Sequence, residues 1–261
     1  MKVQDFGRFD GPLVLFGGVY SNFQALEALI KAVGDRPAIC TGDVVAYCAD
    51  ASASVALVRQ RGWPLVAGNC ERQIADAASD CGCGFGPGST CEMLSRGWYS
   101  HAAAQIGPND RAWMAALPDI GIFQQGERRY AVLHGGATAN NRYLWPSTAA
   151  GDFEDEINAL EARTGQIEGI VAGHSGIAFQ RRIGDRSWIN AGAVGMPPHD
   201  GRPETRFAVL DRGNVTFERL SYDVHAAINA MQGAGLVQGY DVALQIGLWP
   251  SEDILPDELR R

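Results

Sequence analysis

The chain has 261 residues, 22 Lys and Arg against 30 Asp and Glu, and a net charge of −8. That balance disfavours broad contact with nucleic-acid phosphates or an anionic membrane surface, and leaves small or local anionic ligands open. The length suffices for a sizeable core. The opening MKVQDFGRFDGP has no apolar run of the signal-peptide kind, and no stretch approaches the ~18 apolar residues of a membrane span. A cytoplasmic protein with mostly reduced thiols is the expectation.

Apolar runs of strand length alternate with helical periodicity from end to end, which predicts one large α/β domain over residues 1–220. Leu13 to Phe16 reads as the first buried strand. After Gly17 and Gly18, Leu26, Leu29, Ile30 and Val33 mark a helix to Gly34. GGVYSN lacks the spacing of a dinucleotide fingerprint, and no phosphate-binding Gly-Lys-Ser/Thr occurs.

AICTGDVVA (38–46) delivers a carboxylate, Asp43, at a strand end, where α/β sheets bind their ligands. The same order of apolar run, Gly and polar group recurs in LVAGN at Asn69, in YAVLHGG at His134 and in GIVAGHSG at His174. Each alone has a plain explanation as a turn or a hydrogen-bonded loop residue. Together, an Asp, an Asn and two His at strand ends suit a divalent transition metal such as zinc, iron or manganese.

Between these motifs lie a helix near Ser52–Arg61, another in ERQIADAASD, and the glycine-rich loop CGCGFGPGSTC carrying Cys81, Cys83 and Cys91. With Cys70, these cysteines could hold a second metal, although their spacing fits no familiar site; free or buried thiols are the alternative. Ser89 to Glu92 has the pattern of a capping box, Asn109 or Asp110 opens a helix, and Asp152 caps another running to Arg163. His101 reads as a packed or exposed helical residue, and IGIFQQ with RRYAVLHGG as a hairpin. Arg142, Tyr143 and Trp145 fit either a pocket mouth or surface packing. From Ser221 the chain leaves the core motifs, so residues 221–261 are expected to form a helical appendage with Asp223 as a helix cap.

The motif series resembles the calcineurin-like metallophosphoesterase family from Leu13 to about Leu210. Its motifs run Asp-x-His, Gly-Asp, Gly-Asn-His-Asp/Glu, a lone His and Gly-His-x-His. The resemblance implies an αββα sandwich of two packed mixed sheets flanked by helices. It also implies a metal-dependent phosphoesterase, a phosphatase or phosphodiesterase, acting on a small phosphorylated compound or nucleotide. Gly18, Tyr20 and Gly176 stand where one metal's private ligands belong, whereas Asp43, Asn69, His134 and His174 complete the set for the other, so a single metal is expected. Cys70 stands where the family has a His thought to protonate the leaving group. Asn22 or an arginine is expected to steady the phosphate; Arg202, Arg206 and His199, near the NAGAVG loop that resembles the family's Asn-x-Gly-Ser-Val-Gly, either bind phosphate or belong to a solvated loop. A catalytically silent relative binding a nucleotide or phosphate, and a metal or redox role for the cysteine loop, are the competing readings.

Overall fold

A computed structural model describes residues 1–261. Ten strands form two sheets. The larger orders β1 (Val3–Phe9), β4 (Ile120–Gln125), β5 (Arg128–Leu133), β6 (Gly169–Ala172), β8 (Arg186–Asn190) and β7 (Phe179–Ile183); the smaller orders β10 (Asn214–Leu220), β9 (Thr205–Asp211), β2 (Leu13–Phe16) and β3 (Ala38–Cys40). Both mix parallel and antiparallel pairs.

Alternation along the strands explains why the sheets stack. On β2, Leu13 and Leu15 enter the core between the sheets, while Val14 and Phe16 face helices. On β5, Tyr130 and Val132 enter that same core, while Ala131 and Leu133 face outward. Period-two patterning with both faces apolar requires cover on both sides. The outer face of the larger sheet is covered by Phe153, Ile157 and Leu160 of α6 (Ala150–Thr164). That of the smaller sheet packs on α1 (Phe23–Val33), α2 (Ala51–Arg61) and α4 (Thr90–Gln105), joined by α7 (Val224–Gly233) and α8 (Tyr240–Ile246). The expected layering of helix, sheet, sheet and helix is therefore present. No helix is long and apolar enough to cross a membrane.

Several local expectations hold. The hairpin is β4 and β5, paired from Ile120–Leu133 to Gln125–Arg128. Ser89 caps α4 by accepting from the Glu92 N–H at 3.2 Å, and Asp223 caps α7 by accepting from the Ala226 N–H at 2.9 Å.

Others do not. β1 is an additional edge strand, parallel to β4, in a segment where the sequence shows no buried alternation because most of its residues are exposed. The run before Asn69 shrinks to one bridge between Leu65 and Cys40, and Asn69 itself opens α3 (Asn69–Ala75). Asp152 is not a cap: Ala149 takes that place, and Asp152 pairs with Arg142 at 2.8 Å.

Leu15 is fully buried between the sheets. Leu15→Ala is expected to cost about 2–5 kcal/mol, read as a lower urea midpoint at unchanged m-value. A loss below about 1 kcal/mol would mean that the sheets do not meet there.

Candidate metal centre

Strands β2, β3, β5, β6 and β8 run the same way as their parallel partners, and the loops at their carboxyl ends are stitched together. The loop after β2 follows the loop after β3: the N–H groups of Gly18, Tyr20 and Ser21 donate to the carbonyls of Gly42, Asp43 and Val44 at 3.0, 3.1 and 2.9 Å. The loop after β8 joins through Val194 N–H to Gly17 O and Gly195 N–H to Gly18 O. Gly42 is required at the turn into Asp43: its φ is +97°, and a Cβ there would lie 2.5 Å from the Gly68 amide nitrogen and 3.0 Å from His134 Nδ1. Asp43 and His174 both hold φ near 55°, a left-handed conformation that non-glycine residues adopt mostly where the surroundings impose it.

Glu71 fixes the loop that presents Asp43. Its buried carboxylate accepts from the N–H groups of Asp43, Val44 and Gly68 at 2.8 Å each, and from Val45 at 3.4 Å. Burial and the Asp43 charge push the Glu71 carboxyl up to about 7, against the opposing pull of the Gly68 N–H.

Around this frame the four anticipated ligands converge. Asp43, His134 and His174 each bring one ligand atom within 4.8 Å of the others, an arrangement that could hold a metal ion. His134 Nε2 lies 3.3 Å from Asp43 Oδ2, 3.0 Å from Asn69 Oδ1 and 3.1 Å from His174 Nδ1. The other His134 nitrogen settles the tautomer. Nδ1 is 2.7 Å from the Thr41 carbonyl, which can only accept, so Nδ1 carries the hydrogen and a neutral His134 directs the Nε2 lone pair inward. Asn69 is turned the same way: its Nδ2 donates to the Cys81 carbonyl at 2.8 Å and to Cys83 Sγ at 3.3 Å, which leaves Oδ1 for the centre.

Charge follows from this crowding. Burial alone would lower His134, but the adjacent Asp43 carboxylate outweighs it and raises the imidazole. The same pair acts on Asp43, where burial is overcome by His134 and the carboxyl is held below its ordinary range. His174 is depressed to about 3 by burial and then by His134, so it is neutral at ordinary pH.

The other half of the familiar two-metal site is filled. Tyr20 takes the place: a Cβ on Gly18 would come within 2.6 Å of its ring, and Gly176 lies beside its hydroxyl and Trp249. Burial and then Asp43 hold the Tyr20 phenol well above its ordinary pKa. Nothing at Gly18 or Gly176 can replace the missing donors.

The expected phosphate-holding residues have other occupations. Asn22 caps α1, accepting from the Ala25 N–H and donating to the Gly195 carbonyl at 3.0 Å each, with no exposed atom left for substrate. His199 is buried, bonded to Glu252 and to the Trp249 N–H, and ties down the C-terminal segment. Arg206 lines a separate hollow with His199 and pairs with Asp200 at 3.7 Å, and Arg202 is exposed away from the centre. The stretch near NAGAVG does enter the site, through Ala193 and Met196 in the cavity wall.

The cysteines are corrected too. Cys81 and Cys83 lie sulfur to sulfur, paired with each other rather than turned toward Cys91. Cys91 sits in the first turn of α4 and bonds toward Ser251 and Ile254, and the four cysteines do not gather into a metal-binding cluster. Cys70 lies against Asp43, its N–H 3.3 Å from Oδ1, but its thiol is buried; burial and then the Asp43 charge keep it protonated.

The features least visible in the sequence are the walls. Tyr47, Tyr143, Tyr240 and Trp249 line a cavity that opens onto Asp43 and His174, and two of them come from residues 221–261. The appendage thus closes over the centre, a role that no motif in it announces.

A scan of protein-family models and a search of curated proteins return no match. Solved structures do match. A metallophosphoesterase from Sphaerobacter thermophilus aligns with a TM-score of 0.72 at 21% identity, over 92% of this chain and 100% of that one. A hypothetical protein from Pyrococcus horikoshii OT3 aligns at 0.75 with 14% identity, over 92% and 99%. A candidate diadenosine tetraphosphatase aligns at 0.52 with 17% identity, over 84% and 98%. The chain has a calcineurin-like metallophosphoesterase fold.

Two outcomes follow from the buried groups. Glu71→Ala strips the partner from four buried N–H groups and is expected to cost at least about 3 kcal/mol in urea denaturation. A near-neutral result would show that the loop holds Asp43 without it. The depressed His174 makes the unfolded state bind more protons between about 3 and 6.5. In chelator, wild-type stability relative to His174→Ala should therefore rise with pH through that window, by up to about 1.4 kcal/mol per unit, and level off above it. A flat difference would mean that His174 is solvated and titrates normally.

Proposed function

We propose that the chain is a single-metal phosphoesterase acting on a small phosphorylated compound, with Asp43, Asn69, His134 and His174 as ligands. One observation carries this reading: ligand atoms of Asp43, Asn69, His134 and His174 meet at one spot, while the donors of His134 and Asn69 are bonded elsewhere, to the Thr41 and Cys81 carbonyls. Converging acceptors repel one another unless a cation lies between them. Two imidazoles, a carboxylate and an amide oxygen suit iron, zinc or manganese, and the likeness in fold to a metallophosphoesterase supports the reaction class.

A bound ion would polarise the phosphoryl oxygen and lower the pKa of a water. The chain's own part is positional. Thr41 holds the His134 tautomer, Glu71 holds the loop of Asp43, and the cysteine loop aims Asn69. Cys70, in the place of the family's His, is a poor proton donor, because burial and the Asp43 charge hold its thiol well above its ordinary pKa and it lies outside the cavity lining. Hydrolysis then depends on the leaving group, and esters of acidic alcohols or phenols should be the better substrates.

A second reading, a silent relative that binds phosphate compounds without turnover, is favoured by the Tyr20 ring in the other metal's place.

Element analysis of protein purified without chelator is expected to give close to one metal per chain, falling at least tenfold for Asp43→Ala. With manganese added, p-nitrophenyl esters should be hydrolysed by the wild type and not by Asp43→Ala. Two tightly held ions would refute the single-metal site, and one bound ion without turnover would select the silent reading.

A further inference from the structure

The cysteine loop between α3 and α4 supplies the groups that aim Asn69. Asn69 Nδ2 donates to the Cys81 carbonyl at 2.8 Å and lies 3.3 Å from Cys83 Sγ. Between those two residues, the Gly82 carbonyl accepts from Asn141 Nδ2 at 2.9 Å, and Asn141 belongs to the loop whose Tyr143 ring lies 4.3 Å from the His174 ring. Cys81 to Cys83 therefore brace both Asn69 and the loop that runs past His174. The backbone of this segment has little stiffness of its own. Gly82, Gly84, Gly86 and Gly88 punctuate it, and glycine loses the most freedom on being ordered. Something besides the backbone must hold the loop in place.

We infer that Cys81 and Cys83 form a redox clasp: as a disulfide they lock the loop so that Asn69 presents Oδ1 to the centre, and as two thiols they release it. The two sulfurs lie against each other, and the Cα atoms are 5.3 Å apart, within the span that a disulfide bridges. Both residues line a surface hollow of about 700 Å³, which gives a small thiol reductant a path to the pair, and Cys83 also lines the cavity over Asp43 and His174. In reduction a thiolate of the reductant attacks one sulfur of the pair, the Cys81–Cys83 bond breaks, and the departing sulfur takes up a proton. A second reductant thiol then frees the first as a disulfide. Two electrons and two protons pass to the cysteines, and two reductant thiols become one disulfide.

Opening the short ring through Gly82 returns freedom to the chain, so the Cys81 carbonyl and the Cys83 sulfur are no longer fixed against the Asn69 amide. The side chain then turns. A flipped Asn69 sets Nδ2 rather than Oδ1 beside His134 Nε2, a donor where a cation needs an acceptor. Groups that orient a ligand from behind change metal affinity by about 10–100-fold. The effect on metal rests on the proposed metal site, whereas the ordering of the loop does not.

The test compares the full chain, stripped with chelator, after treatment with oxidised or reduced dithiothreitol, each removed under argon before measurement. Labelling with N-ethylmaleimide and peptide mass report the state of Cys81 and Cys83. Manganese is the probe, because thiols bind it weakly, and its free concentration is read by electron paramagnetic resonance. The disulfide form is expected to bind manganese at least about tenfold more tightly than the dithiol form. Cys83→Ser, checked for native thermal unfolding, should match the dithiol form after either treatment; if it does not fold, the two wild-type forms decide alone. In chelator, amide hydrogen exchange over residues 81–84 should be at least about tenfold slower in the disulfide form. Failure of the pair to oxidise, or equal exchange in the two forms, overturns the clasp. Equal or weaker manganese binding by the disulfide form overturns its link to the centre. If neither form binds manganese while exchange still differs, the proposed metal site falls and the clasp stands.

Discussion

The bond from His134 Nδ1 to the Thr41 carbonyl is the contact on which the site depends. His134 leaves the end of β5 in the larger sheet, and Thr41 follows β3 in the smaller one, so this 2.7 Å bond ties the two sheets where their carboxyl ends meet. It is buried, and a buried carbonyl left without a donor would cost about 1–3 kcal/mol, which keeps the imidazole in place. Because the carbonyl can only accept, the bond also decides which nitrogen of neutral His134 faces the centre. One hydrogen bond therefore couples sheet packing to ligand chemistry.

That coupling bears on the asymmetry of the site. A two-metal centre needs donors from the loop after β2 and from the residue two beyond His174, and here those places hold Gly18, Tyr20 and Gly176. The glycines do more than omit donors. Gly18 clears space for the Tyr20 ring, which a Cβ there would strike, and the ring packs against Tyr47 at 4.8 Å. The region is thus a packed aromatic wall, and the converging Asp43, His134 and His174 gain a dry boundary on that side. In such surroundings electrostatic attraction to a cation is stronger than in water.

Much of this was legible in the sequence because it depends on local chemistry. A strand ending in Gly-Asp or Gly-His announces itself through apolar residues followed by a turn, and Asp43, His134 and His174 do come together. Asn69 was read at a strand end although it opens a helix; the run before it is too short to form more than one bridge, yet the side chain arrives at the same centre. What failed were residues whose role is set by long-range partners. Asn22 has the chemistry of a phosphate ligand, but its amide is spent on a helix cap and a carbonyl 173 residues away. His199 is likewise held by Glu252 and Trp249, partners that no spacing rule connects to it. The edge strand β1 escaped because exposed strands need no buried alternation.

The C-terminal segment shows how an appendage without motifs can shape chemistry. Tyr240 and Trp249 reach the cavity from beyond the last strand, and the segment is held there by the buried His199 rather than by a continuation of either sheet. Since His199 accepts from the Trp249 N–H through one nitrogen and meets Glu252 through the other, it fixes the chain on both sides of Pro250 and Ser251, which also line the cavity. A residue that sequence chemistry would assign to phosphate thus acts on the site at second hand. It sets the wall against which any ligand must pack, and the two sheets with their proposed metal ligands stay free of that task.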